Sequence, residues 1–275
     1  MKTRILTAIV AIALFVPVCV FSHTIVFAAV MSILSVVGVY EISKCVGQHK
    51  NLTLTIPMYI IAALLPVMRK LLIKQSHFFS LAMIALFFML IYCLTYVMLR
   101  KNQDKISDII TLYGLFVYVV GCFSSIVCVR EMAGGKYIYL LIFLGAWVCD
   151  TFAYFTGKFF GKHKLIPEIS PKKTIEGSVG GIVFTIGAFV LYGFIVNKNF
   201  GEEIELSYVL LVILGLAASV ISQIGDLVAS AVKRQYEIKD YGRLFPGHGG
   251  VLDRFDSVML VAPVTYVIFL IASFF

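Results

Sequence analysis

Nine apolar runs divide this chain of 275 residues, at about 5–22, 24–43, 52–68, 77–99, 107–128, 136–156, 177–196, 206–229 and 256–274. Several reach the roughly 20 residues that an α-helix needs to cross the hydrocarbon of a bilayer. With 60% of residues hydrophobic and 14% charged, no stretch is left to build a separate soluble domain. The expected fold is therefore all-α: a polytopic integral membrane helix bundle of about nine transmembrane helices, forming one membrane domain over 1–275. The third run is the weakest, because Pro57 and Pro66 lie inside it and its length is marginal. Were it re-entrant, the spans would number eight.

Charge distribution sets the orientation, since short cytoplasmic loops carry the excess of Lys and Arg. With nine spans, one side collects Lys2, Arg4, Lys44, Lys50, Arg100, Lys101, Lys105, five Lys within 158–173, and Lys233, Arg234, Lys239, Arg243 and Arg254, 17 in all; the other side has six. The N-terminus is expected in the cytoplasm, the C-terminus outside, and both charge-rich loops in the cytoplasm. The net charge of +8 then faces inward. Nucleic acid is excluded as a partner, because the basic residues sit in short loops between helices and not on a soluble face. Attraction to anionic lipid headgroups explains part of the charge. Lys2 and Arg4 before an apolar run imitate a signal peptide, yet the run is longer than an h-region, no small-x-small cleavage site follows, and the next span begins after a two-residue turn; a true span is expected.

The six cysteines fall in or at the ends of apolar runs with no C-x-x-C spacing, and read as core filler. His23, His49, His77 and His163 are isolated at loop or span ends, where interfacial histidines are ordinary; only His248 has polar company. The halves differ. Residues 1–135 read as hydrophobic scaffold, whereas 136–275 carry nearly all the intramembrane polarity, so the catalytic spans and loops are expected there.

Four constellations carry chemistry. Asp150, in V-C-D-T-F-A-Y, lies inside an apolar run, where translocon scales charge about 2.5–3.5 kcal/mol for an Asp at a helix centre. Two readings fit it: a carboxylate hydrogen-bonded to a neighbouring helix, or one lining a polar cavity. Next comes a basic loop ending in I-S-P-K-K-T-I-E-G at 169–177. Ser170 and Pro171 read as a helix start, which would leave free amides and a positive dipole end beside Lys172 and Lys173. That arrangement suits an anion, and a solvated basic loop at a lipid surface would look the same. In the eighth run, Ser222, Asp226 and Ser230 recur at helical spacing, and Lys233 continues the stripe. Finally, the glycine-rich turn F-P-G-H-G-G at 245–250 leads to Asp253 and Asp256, three residues apart at the start of the last span. An Asp pair opening a helix suits Mg2+, which takes oxygen ligands, keeps waters, and uses one or two carboxylates plus substrate phosphates. Composition and spacing alone reach a membrane enzyme that handles phosphates with a divalent metal.

The ordered string S-x-V-K-R-x4-K-D-x-G-x2-F-P-x-H-G-G-V-x-D-R-F-D, from Ser230 to Asp256, resembles the signature of phosphatidate cytidylyltransferases, the CDP-diacylglycerol synthases. D-T-x-A-Y-x-x-G from Asp150 and S-P-K-K-T at 170–174 are similar to further regions of that family. The resemblance implies transfer of CMP from CTP to phosphatidate, with pyrophosphate released, at the cytoplasmic face of a prokaryotic inner membrane. It also implies magnesium assisted by potassium, and a homodimer. On this reading Asp226, Asp253 and Asp256 hold the metal. Lys233, Arg234, Lys239 and Arg254 clamp phosphates, with Asp240 among the catalytic residues. His248 and the amides of Gly249 and Gly250 meet the triphosphate, and Asp150, Ser170, Lys172, Lys173 and Thr174 bind substrate. Two competitors remain: a CTP-dependent lipid kinase, which would transfer the γ-phosphoryl group to an alcohol, and a secondary transporter, which predicts repeat-related broken helices that this chain lacks.

Overall fold

Lipid offers no water to a backbone amide or carbonyl, so an apolar run must satisfy those groups within its own segment, and helices do this. The computed structural model describes residues 10, 13–72, 75–100, 105–247 and 249–273. Within them run α1 (13–20), α2 (Ile25–Cys45), α3 (Leu52–Leu71), α4 (Gln75–Leu99), α5 (Ile106–Arg130), α6 (Gly135–Phe160), α7 (Ile175–Phe200), α8 (Tyr208–Gln235) and α9 (Leu252–Ala272). By length and composition the eight from α2 to α9 can cross a bilayer. The start of the first expected run, with Lys2 and Arg4, lies outside the described residues. Several ends move outward from their expected places; among them, α8 carries on through Lys233 and Arg234, and α9 begins at Leu252 and so takes in Asp253.

The chain forms two compact units, one holding the described residues of 1–128 with 236–254, the other those of 129–235 with 255–275. In the first, α3 packs on α2 and α4 and runs unbroken through both prolines. Pro57 has no N–H for the Thr53 carbonyl, and the Tyr92 hydroxyl of α4 donates to that carbonyl instead at 2.8 Å. The Ser32 hydroxyl of α2 donates to the Ala63 carbonyl of α3 at 2.7 Å, a further tie between these two helices. A neighbouring helix thus repairs what Pro57 removes, and the third run is a full-length helix.

In the second unit α7 packs along α6 and α8. Gly177 and Gly181 let the backbones of α6 and α7 meet, since an added methyl would lie 2.6 Å from the Ala153 carbonyl and 3.1 Å from that of Cys149. This is the small-residue packing by which helices associate where no hydrophobic force drives them together. Between α6 and α7 a short antiparallel hairpin, β1 (Lys164–Ile166) and β2 (Ser170–Thr174), pairs Lys164 with Thr174 and Ile166 with Ser170.

Candidate active site

The hairpin corrects the expected helix start at Ser170-Pro171. Those residues are strand, and α7 begins at Ile175, capped by the Thr174 hydroxyl, which accepts from the Gly177 N–H at 3.1 Å. The reason is local: Thr174 is β-branched and extended, and as a cap it stabilises a helix starting four residues later than a Ser170 cap would. Glu176, in the first turn of α7, accepts from the Lys162 amide at 3.1 Å and pairs with His163 Nδ1 at 2.7 Å, so the basic loop is tied back to the helix it precedes. His163 is therefore a partner of Glu176 and not an isolated interfacial residue.

A strand sends successive side chains to opposite sides. Lys172 is exposed, whereas the Lys173 ammonium meets Asp226 Oδ2 at 2.7 Å and the Gln223 carbonyl at 3.4 Å. Ser170 is half-buried, and Thr174 is buried with its hydroxyl engaged in the cap. On α8, Ser222 is fully buried, and the Ser230 hydroxyl lies 3.5 Å from Asp226 Oδ1. Gly225 brings α8 against α9: a methyl there would stand 2.5 Å from the Asp256 carbonyl and 3.5 Å from Ser257 Cα. Asp256 consequently feels the charges of Asp226, Lys233 and Asp150. The Ser257 hydroxyl donates to Asp150 Oδ2 at 2.7 Å, so Asp150 bonds a neighbouring helix and also belongs to a polar cluster of three carboxylates from α6, α8 and α9.

Among the described residues no group of three His, Cys, Asp or Glu side chains is arranged to hold a metal by itself. Magnesium does not need one, because waters and substrate phosphates complete its shell. Asp226 and Asp256, brought together by the missing side chain of Gly225, fit it as a carboxylate pair.

The first unit holds the glycine-rich turn. Phe245 N–H donates to the Gly249 carbonyl at 2.9 Å, and Gly247 and Gly249 adopt φ of 77° and 89°, which side-chain-bearing residues rarely do. Asp253, 7% exposed, accepts through Oδ2 from the Tyr241 amide at 2.8 Å and the Gly250 amide at 2.9 Å. The Gly250 amide expected at the triphosphate is thus donated to Asp253. Lys239, Asp240 and Arg254 are exposed in this unit, Arg234 is exposed and Lys233 half-buried in the other, and His248 lies outside the described residues.

Two residues escaped the sequence reading. Gly225 carries no signal beyond its place beside Asp226. Glu41 does: it is the sole acid in α2 and is 3% exposed, and an acid in an apolar span is a functional hypothesis by default. Its Oε1 and Oε2 accept from the Val251 and Leu252 amides, each at 2.9 Å.

A sequence model of the cytidylyltransferase family matches residues 2–272. The chain belongs to that family. It is 36% identical over 281 residues to the phosphatidate cytidylyltransferase of Bacillus subtilis (strain 168), an alignment covering 100% of this chain and 98% of the relative. It is also 34% identical over 270 residues to the enzyme of that name from Staphylococcus haemolyticus, covering 96% of each. The similarly named protein of Thermotoga maritima is 31% identical over 271 residues, covering 98% of this chain and 96% of the relative. Because the family match is end to end, α2 with Glu41 and the basic hairpin with Lys173 both belong to the cytidylyltransferase framework.

Proposed function

We propose that this membrane protein transfers CMP from CTP to phosphatidate, making CDP-diacylglycerol and pyrophosphate for phospholipid synthesis. The observation that carries the reading is the meeting of Lys173, Asp226, Asp256 and Asp150 from the basic hairpin and three helices, within a chain that matches cytidylyltransferases over 2–272. A phosphate oxygen of phosphatidate attacks the α-phosphorus of CTP, the bond from that phosphorus to the bridging oxygen breaks, and pyrophosphate leaves with the electron pair. The nucleophile is already an anion, so no strong base is required. The work is electrostatic: two polyanions are brought together, their repulsion is neutralised, and charge leaving on pyrophosphate is stabilised.

Magnesium held by Asp226 and Asp256 would neutralise phosphate charge. Lys233, Arg234, Lys239 and Arg254 add fixed or flexible cations for phosphate oxygens, and Lys172 at the exposed face of β2 offers one to a lipid headgroup. Asp253 shapes the glycine-rich turn through its two amide bonds. The active face is cytoplasmic in a bacterial plasma membrane, where the basic loops gather and CTP is supplied. Potassium as a second cation and a homodimer belong to the same reading.

The test is an assay of purified protein with CTP and phosphatidate, with and without a chelator. CDP-diacylglycerol and pyrophosphate in equal amounts, abolished by chelation and restored by Mg2+, are expected. Release of CDP with a phosphorylated alcohol would instead indicate a lipid kinase and sink the proposal.

A further inference from the structure

The carboxylate of Glu41 sits under the glycine-rich turn within the first compact unit. Each of its oxygens takes one backbone amide, Val251 and Leu252, and those amides lie at the junction between the turn and α9. Gly242 and Gly250 press against the same carboxylate so closely that a methyl on either would collide with it. One side chain from α2 thereby holds both ends of the segment 242–252, which also carries the signature residues Gly249 and Gly250.

A buried carboxylate near the end of an apolar helix is costly unless it is hydrogen-bonded. What it offers over a neutral residue is two acceptor atoms side by side. A glutamine presents one acceptor and one NH2, and the NH2 would face an N–H that needs an acceptor. Direct contact with a nucleotide is not its purpose, since Glu41 is 3% exposed and both its oxygens are taken by backbone amides. Its influence must pass through the backbone, in concert with Asp253, which holds the Gly250 amide of the same segment and the Tyr241 amide just before it. The two acids take four amides, at 241 and at 250–252, so they fix the two ends between which the exposed cation Arg243 is presented.

We propose that Glu41 is a positioning residue that fixes the 242–252 loop in the conformation that receives the triphosphate of CTP, a role that rests on the nucleotidyl-transfer reading above. Glu41→Gln keeps the size of the side chain and removes the second acceptor. Full-length protein carrying it is expected to show a KM for CTP raised about tenfold with a KM for phosphatidate changed less than about twofold. Hydrogen exchange of the purified protein without substrate should be faster at the amides of 250–252 than in wild type. Gly242→Ala, which displaces the carboxylate without removing it, serves if the Gln variant fails to fold, and the same CTP-selective shift is expected. Unchanged exchange with an unchanged KM for CTP overturns the proposal. So does a fall in kcat that merely tracks the loss of folded protein, with both KM values unaltered. If wild-type protein makes no CDP-diacylglycerol, the functional reading fails instead, and the substrate-free exchange comparison still decides whether Glu41 holds the loop.

Discussion

Lys173 Nζ stands 2.7 Å from Asp226 Oδ2, joining the basic hairpin to a carboxylate on α8. Both side chains are partly sheltered, with 23% and 32% of their surfaces exposed, so the contact is screened less than a surface pair. Lys172, one residue earlier in the strand, is turned to the opposite side and exposed. Two adjacent lysines, both expected to bind substrate, are therefore given different electrostatic surroundings.

Lys172→Gln should raise the KM for phosphatidate several-fold and leave that for CTP nearly unchanged, because it removes a headgroup cation without touching the carboxylate cluster. Lys173→Gln should lower the Mg2+ concentration giving half-maximal rate, since Asp226 loses a competing cation. Kinetics in mixed micelles, varying each substrate and Mg2+ in turn, measure both. Identical effects from the two substitutions would refute the division of labour.

Replacing Asp226 or Asp256 with Asn keeps the shape and removes charge from the proposed metal pair. Turnover is expected to fall by about two orders of magnitude or more, with partial recovery at high Mg2+. Asp253→Ala should also lose activity, because it removes the one oxygen that accepts from two amides there, but added Mg2+ should not restore it. Mg2+ titrations of the three variants separate the roles; recovery of the Asp253 variant alone would reverse the assignment.

Cysteines introduced singly at the exposed Lys164 and Lys239, in a background without the native six, report orientation. A membrane-impermeant thiol reagent applied outside intact cells should leave both unmodified until the membrane is opened. Labelling of either in intact cells would contradict the cytoplasmic placement of the basic loops.

The Tyr137 hydroxyl donates to Glu203 at 2.8 Å and Lys136 pairs with it at 3.3 Å, and these hold its carboxyl below the usual carboxylate range. A depressed folded-state pKa means that the stabilisation is present above the unfolded value and is lost as pH falls through the folded one. Glu203→Gln should thus lower Tm slightly near neutrality, with the difference from wild type vanishing in acid. Thermal melts across that range test it, and a difference that grows in acid has the wrong sign.

The membrane character of the fold was legible in residue order, because long apolar runs have one stable state in lipid, and helices formed where those runs lie. The third run shows where reading along the chain stops short: whether Pro57 breaks a helix depends on Tyr92 from another helix, a partner that local sequence does not reveal. The S-P-K-K-T string showed a concentration of cations but not their shape, since strand and helix start compete within a few residues and the Thr174 cap with pairing to β1 decides for strand. Likewise Asp226 could be picked out in a stripe with Ser222 and Ser230, and Asp256 beside Asp253, while the convergence of Asp226 and Asp256 depends on the bare backbone of Gly225 against α9. Glu41 is the clearest case. Its amide partners lie 210 and 211 residues away, and a hydrogen bond of that separation exists only once the chain has packed. Residue types and their periodicity determined what the chain dissolves in and which chemistry it can carry; tertiary packing alone decided which charges meet, because electrostatic partners are set by distance in space and not along the chain.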